Sequence, residues 1–286
     1  MIPAEAIPHH VLANPHWEAR LALEYERRAE RTVLARRSHS GPLRVQRDLY
    51  PEGEGTCHTI VVHPPGGIAG GDTLAVSAKL GERCAALLTT PGAGKWYRTQ
   101  AASARQTLDF DVSAGGSLEW LPQETILFDG AVAQMKTTVR LGGDGVYTGW
   151  EILCFGRAAS GQKFVSGLLT QQTEIFAGGA RLWAERVRVE GDDPLFASPV
   201  GLAGRGVCAT LLAAGRDIPN DVLAACRDVP AGESALSGVT RLPRLLIARW
   251  LGDSGEDARR HFAAIWGVLR PLMKQSAAVE PRIWST

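Results

Sequence analysis

Leu21, Leu23 and Tyr25 alternate with Ala22, Glu24 and Glu26, a period of two that predicts a half-buried strand, because successive side chains of an extended chain point to opposite faces. Thr73–Leu80 repeats the pattern, with Leu74, Val76, Ala78 and Leu80 on one face. Shorter strand-like runs fall at residues 32–35, 59–62, 84–90, 107–112 and 135–141, each bounded by Gly, Pro, Asp or Asn. They recur roughly every 10 to 15 residues, with no amphipathic helical stretch between them, so alternating βαβ units are disfavoured. The region from 17 to 213 therefore reads as overwhelmingly β, in a stacked or antiparallel multi-stranded architecture.

Helices are expected only late in the chain. Asn220 is placed to cap a short helix over 221–227, with Pro230 just beyond it. Over 255–276, Ala258, Phe262, Ile265, Trp266, Leu269, Leu272 and Met273 follow i, i+3, i+4, i+7 spacing, the stripe of a helix packed on a core. Pro271 should end or kink this helix, since it lacks a backbone donor and crowds the preceding turn. Residues 1–16 read as a loose segment, 17–276 as one β-rich domain that includes the helix, and 277–286 as a tail.

Composition narrows the function classes. With 31 basic and 30 acidic residues, a net charge of +1 gives no global attraction to nucleic acid or a membrane surface. Only five cations are lysines (Lys79, Lys95, Lys136, Lys163 and Lys274); the rest are arginines, whose planar fork suits carboxylate pairing. Five cysteines without CxxC spacing argue against a disulfide framework or zinc ribbon and for a reducing compartment. Residues 1–10 lack a basic start and an apolar core, and no stretch reaches ~18 uninterrupted apolar residues, so a soluble cytoplasmic protein is expected.

Catalytic signatures are sparse. The Gly92-Ala93-Gly94-Lys95 sequence resembles part of a phosphate-binding loop, but Thr89 stands where the first Gly is needed and Trp96 where Ser or Thr would follow the Lys. The glycines at 66, 67, 70 and 71 do not form GxGxxG and are better suited to a tight backbone loop. GxSxG is missing, and Ser40, Ser117 and Ser160 lack a local activating context.

The unusual feature is charge inside apolar runs, above all at 118–130 (LEWLPQETILFDG). A carboxylate on a buried strand needs a counter-charge, a metal or water. Asp72, Glu119, Glu124, Asp129 and Glu151, with Cys57, His58 and His63, are the candidate metal contacts, and they suit weak, transient ligation along a hydrated passage. On a strand, however, Cys57 and His58 face opposite sides, as do His58 and His63, which disfavours one closed site. The competing explanation is a set of buried Arg–carboxylate pairs, with Arg44, Arg47, Arg98 and Arg157 as available partners. Lys95, Trp96, Tyr97 and Arg98 join cations to aromatics, a composition enriched at protein interfaces.

Several segments in order, Gly41-Pro42-Leu43-Arg44-Val45-Gln46-Arg47, Tyr50-Pro51-Glu52-Gly53, Cys57-His58, His63-Pro64-Pro65-Gly66-Gly67, Gly70-Gly71-Asp72, Leu88-Thr89-Thr90-Pro91-Gly92-Ala93, Lys95-Trp96-Tyr97-Arg98, Leu118-Glu119-Trp120-Leu121-Pro122-Gln123-Glu124 and Trp150-Glu151-Ile152-Leu153, together resemble the UreD (UreH) family of urease accessory proteins. The resemblance runs from about Trp17 to about Glu185, with Trp96 standing where Phe is expected. It implies a β-rich, non-enzymatic maturation chaperone that binds the urease apoprotein and accessory proteins F and G, G being the GTPase, and helps to insert nickel. No tightly bound cofactor is implied, only nickel in transit. A stand-alone nickel carrier or sensor, and less so a β-fold hydrolase, are the alternatives.

Overall fold

The computed structural model describes residues 16–99 and 102–285, so nearly all of the segment 1–16 lies outside the described residues. Two sheets carry the fold. The first has seven strands in the order Ala180–Glu190, Leu168–Ala177, Val132–Leu141, Ala104–Val112, Thr73–Leu80, Glu18–Arg28 and Arg31–Ser40. The main path of the second runs Leu236–Leu242, Leu245–Gly252, Val207–Ala214, Val146–Arg157, Ser117–Trp120, Ala85–Thr89, Thr56–Val62 and Arg44–Val45.

The stacked architecture arises because the chain alternates between the sheets. Thr73–Leu80 in the first leads to Ala85–Thr89 in the second, then Ala104–Val112, Ser117–Trp120, Val132–Leu141 and Val146–Arg157 alternate in the same way. Neighbours within each sheet are consequently parallel through the centre of the fold. Parallel strands require a long crossover, usually a helix; here each crossover is a strand of the opposite sheet. Register stacks like on like: Leu80, Val112 and Leu141 are successive partners, as are Ala78, Phe110 and Val139. The flanks close with antiparallel pairs, including Glu18–Arg28 with Arg31–Ser40 and Leu245–Gly252 with its two neighbours.

Alternation gives the second sheet two buried faces. Leu118, Trp120, Tyr147, Leu153 and Phe155 point toward the first sheet and share its core, whereas Leu87, Leu121, Val146, Trp150 and Ile152 point the other way into a second core. Two helices cover that second face: α1 (Asn220–Arg227) and α2 (Gly255–Lys274). Among the described residues no helix is long and apolar enough to cross a membrane.

The helix ends refine the sequence expectations. Pro219, with φ fixed near the extended region, occupies the boundary of α1, so Asn220 enters the helix and its side chain makes no capping bond. Ser254 caps α2, accepting from the Asp257 amide at 3.2 Å. Pro271 is tolerated inside the last turn, and the helix ends at Lys274 through Gln275 in the left-handed region. The expected tail returns to the body: Trp284 is buried, lies against Trp150 and Trp266, and donates to Thr89 Oγ1 at 2.8 Å. A large aromatic with a partner for its N–H gains more from this docking than the short segment loses in chain freedom.

Trp284→Ala should lower the unfolding free energy by about 3 kcal/mol or more, the usual cost of emptying a buried aromatic site. Urea unfolding followed by circular dichroism measures it, and a change under about 0.5 kcal/mol, typical of a surface position, would show that the segment is not docked.

Candidate functional site

Glu151 sits on Val146–Arg157, in register with Tyr147, Leu153 and Phe155, and so faces the first sheet. Its direct neighbour on the next strand is Thr210, and beyond that Arg249. Arg249 donates to Thr210 Oγ1 at 2.8 Å and reaches across the sheets to Glu185 Oε1 at 2.5 Å. From the first sheet, Gln171 and Thr173 point into the same space. These groups line a cavity of about 170 Å³ between the sheets, walled otherwise by side chains such as Trp120, Tyr147 and Leu202. That is room for several waters beside polar partners. Glu185 and Arg249, with side chains 21% and 43% exposed, form its solvent-facing rim.

Burial pushes the Glu151 carboxyl up to about 7, against the lowering effect of the Thr125 hydroxyl that donates to it. A carboxyl in this environment exchanges between neutral and ionised forms near neutrality. Glu185, Thr210 and Arg249 were not singled out by the sequence, although a charge between Ala248 and Trp250 in an apolar run carries the same signal as Glu119, and Glu185 shares a strand face with Val187 and Val189.

Glu119 has a different setting. It occupies the opposite face of the second sheet, under α2, where Trp266 Nε1 donates to its Oε1 at 2.6 Å and Arg270 donates to both oxygens at 2.9 and 3.0 Å. Arg270 continues to Glu52 at 2.6 Å; Lys274 also donates to Glu52, at 2.8 Å, and His58 Nε2 lies 2.6 Å from it. All five ionisable groups are nearly buried. Burial opposes the charge of Glu52, yet His58, Arg270 and Lys274 together hold its carboxyl well below the usual carboxylate range. Burial likewise works against Arg270, but Glu119 and Glu52 strengthen its protonation. Both Glu119 oxygens are thus engaged by fixed donors, and its partner is Arg270, not one of the four arginines proposed from sequence.

The remaining candidates are dispersed. Cys57 faces the core between the sheets, where burial pushes its thiol up to about 11, while His58 faces α2, as strand alternation requires. His63 lies beyond the end of Thr56–Val62 with its Nε2 buried and unbonded, and burial lowers its pKa against the opposing effect of Asp72. Asp72 uses both oxygens on backbone amides, Trp17 at 2.9 Å and Ala69 at 2.8 Å. Asp129 similarly holds the Val165 and Ser166 amides and pairs with Arg98 at 2.7 Å. Glu124 is half-buried, 3.6 Å from Arg259. Among the described residues no three His, Cys, Asp or Glu side chains gather closely enough to hold a metal ion.

Trp96 is in the core, at 2% exposure, and does not belong to a surface patch, whereas Lys95, Tyr97 and Arg98 are exposed. Tyr97 packs over Gly67, where an added Cβ would lie 2.2 Å from its ring, so the glycine loop and the aromatic are matched parts.

Two outcomes follow from these environments. Arg270→Met leaves Glu119 buried without a counter-charge and should cost on the order of 3 to 5 kcal/mol in urea unfolding, with Glu119→Leu/Arg270→Leu less destabilised than the single variant; equal losses would contradict the pairing. For Glu151 the folded pKa is raised, so its stabilising contribution is complete below the ordinary carboxyl range and is lost as pH rises to about 7. Glu151→Gln should therefore gain stability over the native protein on moving from pH 5 to pH 8, by on the order of 2 kcal/mol; parallel pH profiles would show that Glu151 ionises normally.

Comparison with known proteins places this arrangement. Residues 18–285 match the family model described as UreD urease accessory protein. The chain is 51% identical over 276 residues to the urease accessory protein UreD of Dechloromonas aromatica, and 51% and 49% identical over 274 residues to those of Azoarcus sp. and Pseudomonas aeruginosa, covering 96% of both chains in every case. With the match running through the cavity strands, the network under α2 and the docked C-terminal segment alike, the chain belongs to the UreD family of urease accessory proteins.

Proposed function

We propose that this protein is a non-catalytic chaperone of urease maturation, acting in the cytoplasm with the urease apoprotein and accessory proteins F and G, and that nickel crosses it as cargo through the cavity between the two sheets. The observation that carries the reading is the half-buried carboxyl of Glu151 in a cavity with room for several waters, whose rim bears Glu185. Family membership supplies the urease context. A divalent ion is held weakly by one or two carboxylates, hydroxyl and amide oxygens and water, and weak ligation lets it leave again. Glu151 adds control: ionised, it attracts the cation, and protonated, it releases it. GTP hydrolysis belongs to partner G in this scheme. Of the carboxylates expected from the sequence along one path, Glu151 carries this route, because Glu119, Asp72 and Asp129 have their oxygens engaged and Glu124 does not line the cavity.

Co-expression with the urease subunits and proteins F and G tests this. The native chain should co-purify with these proteins, and urease activity should disappear when it is omitted. Glu151→Gln should still co-purify while urease nickel content and activity fall about tenfold, as expected for losing an anionic oxygen ligand. Normal activity without the chain would end the maturation reading; full nickel loading with Glu151→Gln would end the cavity route alone.

A further inference from the structure

Among the described residues no helix covers the outer face of the seven-stranded sheet: its side chains point away from both cores. Over part of that face, charges cancel across strands. Arg36, Glu24, Lys79, Asp111 and Arg140 are successive cross-strand partners of alternating sign, and Arg140 also reaches Asp109. Opposite charges in such pairs are favourable, and the ladder leaves little net field.

The neighbouring rows break the rule. Arg105, Gln134, Thr170 and Arg188 are aligned across four strands, and Thr107, Lys136, Gln172 and Arg186 are aligned beside them. These rows hold four cations and no carboxylate, and they line an open groove of about 520 Å³. All four cations are exposed. Arg105 is held by Gln134 Oε1 at 3.0 Å and Arg188 by Glu190 at the groove end. Lys136 and Arg186 have no hydrogen-bond or ion-pair partner among the described residues.

We propose that this groove is a docking surface for an extended acidic segment of a partner protein. The argument is complementarity: clustered cations raise the local potential and attract an anionic chain, while the ladder beside them repels nothing and attracts nothing. The threonine and glutamine side chains between the cations offer hydrogen-bond partners and permit close approach of a backbone. The two rows carry no aromatic side chain, and single-stranded nucleic acid depends on aromatic stacking as well as charge. The groove lies on the opposite face of its sheet from the intersheet cavity, so docking leaves Glu151 untouched.

The test titrates the full chain into a fluorescent twelve-residue glutamate-glycine peptide at low and physiological salt, reading anisotropy. Lys136→Gln/Arg186→Gln should weaken binding about tenfold, and Lys79→Gln/Asp111→Asn, a cross-strand pair on the same face removed without changing net charge, should change it less than about twofold. Unchanged unfolding midpoints in both variants show that the fold is intact. The proposal is overturned by no binding of the peptide, by equal weakening in the two variants, or by an oligothymidine of equal charge competing as well as the peptide itself.

Discussion

Two carboxylates and two cations are buried together where α2 crosses the second sheet, and the placement of the helix follows from them. Trp266, Arg270 and Lys274 are spaced four residues apart on one helical face, so they present an indole N–H, a guanidinium and an ammonium in a line. Glu119 and Glu52 receive these donors from the sheet side. Sliding α2 by one turn would leave a buried charge without its counter-charge, and that penalty is several kcal/mol per ion. Hydrophobic packing alone tolerates such shifts better, because it is non-directional. The ion network therefore fixes the register in which Phe262, Ile265 and Leu269 meet Trp150 and Ile152, and through them the face on which Trp284 docks.

The second sheet separates two kinds of polar burial by the alternation of its strands. Residues 150 and 152 pack under the helices while 151 points to the cavity, so Glu151 is one residue from the helix-side core and yet lines the space between the sheets. Glu119, on the helix side, has its oxygens occupied by fixed donors and is held in place. Glu151 has a hydroxyl donor and an arginine two strands away, and it keeps the freedom to gain or lose a proton. Rigidity and exchange are thus assigned to opposite faces of one layer.

The period-two pattern made Glu18–Arg28 and Thr73–Leu80 legible as strands, and the stripe from Ala258 to Met273 made α2 legible, because both depend on neighbours in sequence. The parallel stacking was open, since pairing such as Leu80 with Val112 is chosen by contacts between successive coils rather than by local preference. Cys57 and His58 were separable by alternation alone, and the structure has them on opposite faces. The roles of Glu119 and Glu151 were not separable: both are acidic residues in apolar strands beside a tryptophan, and only the identity of what covers each face distinguishes them. Trp284 was read as part of a tail because a single aromatic near a chain end has no periodicity to announce its burial.

The long reach of the ion network has a bearing on how the chain matures as it is made. Arg270 is separated from Glu119 by 151 residues and from Glu52 by 218. Synthesis proceeds from the N-terminus, so the stacked coils emerge first, with both carboxylates facing a bare sheet surface. Until α2 leaves the ribosome, that apolar face is exposed and its acidic groups must remain hydrated. Closure of the molecule is thereby deferred until α2 is made, roughly eight to thirty seconds after Glu119 and its neighbours appear at ordinary elongation rates. During that interval the half-built protein presents a sticky, negatively charged sheet, and a truncated product would keep that surface permanently.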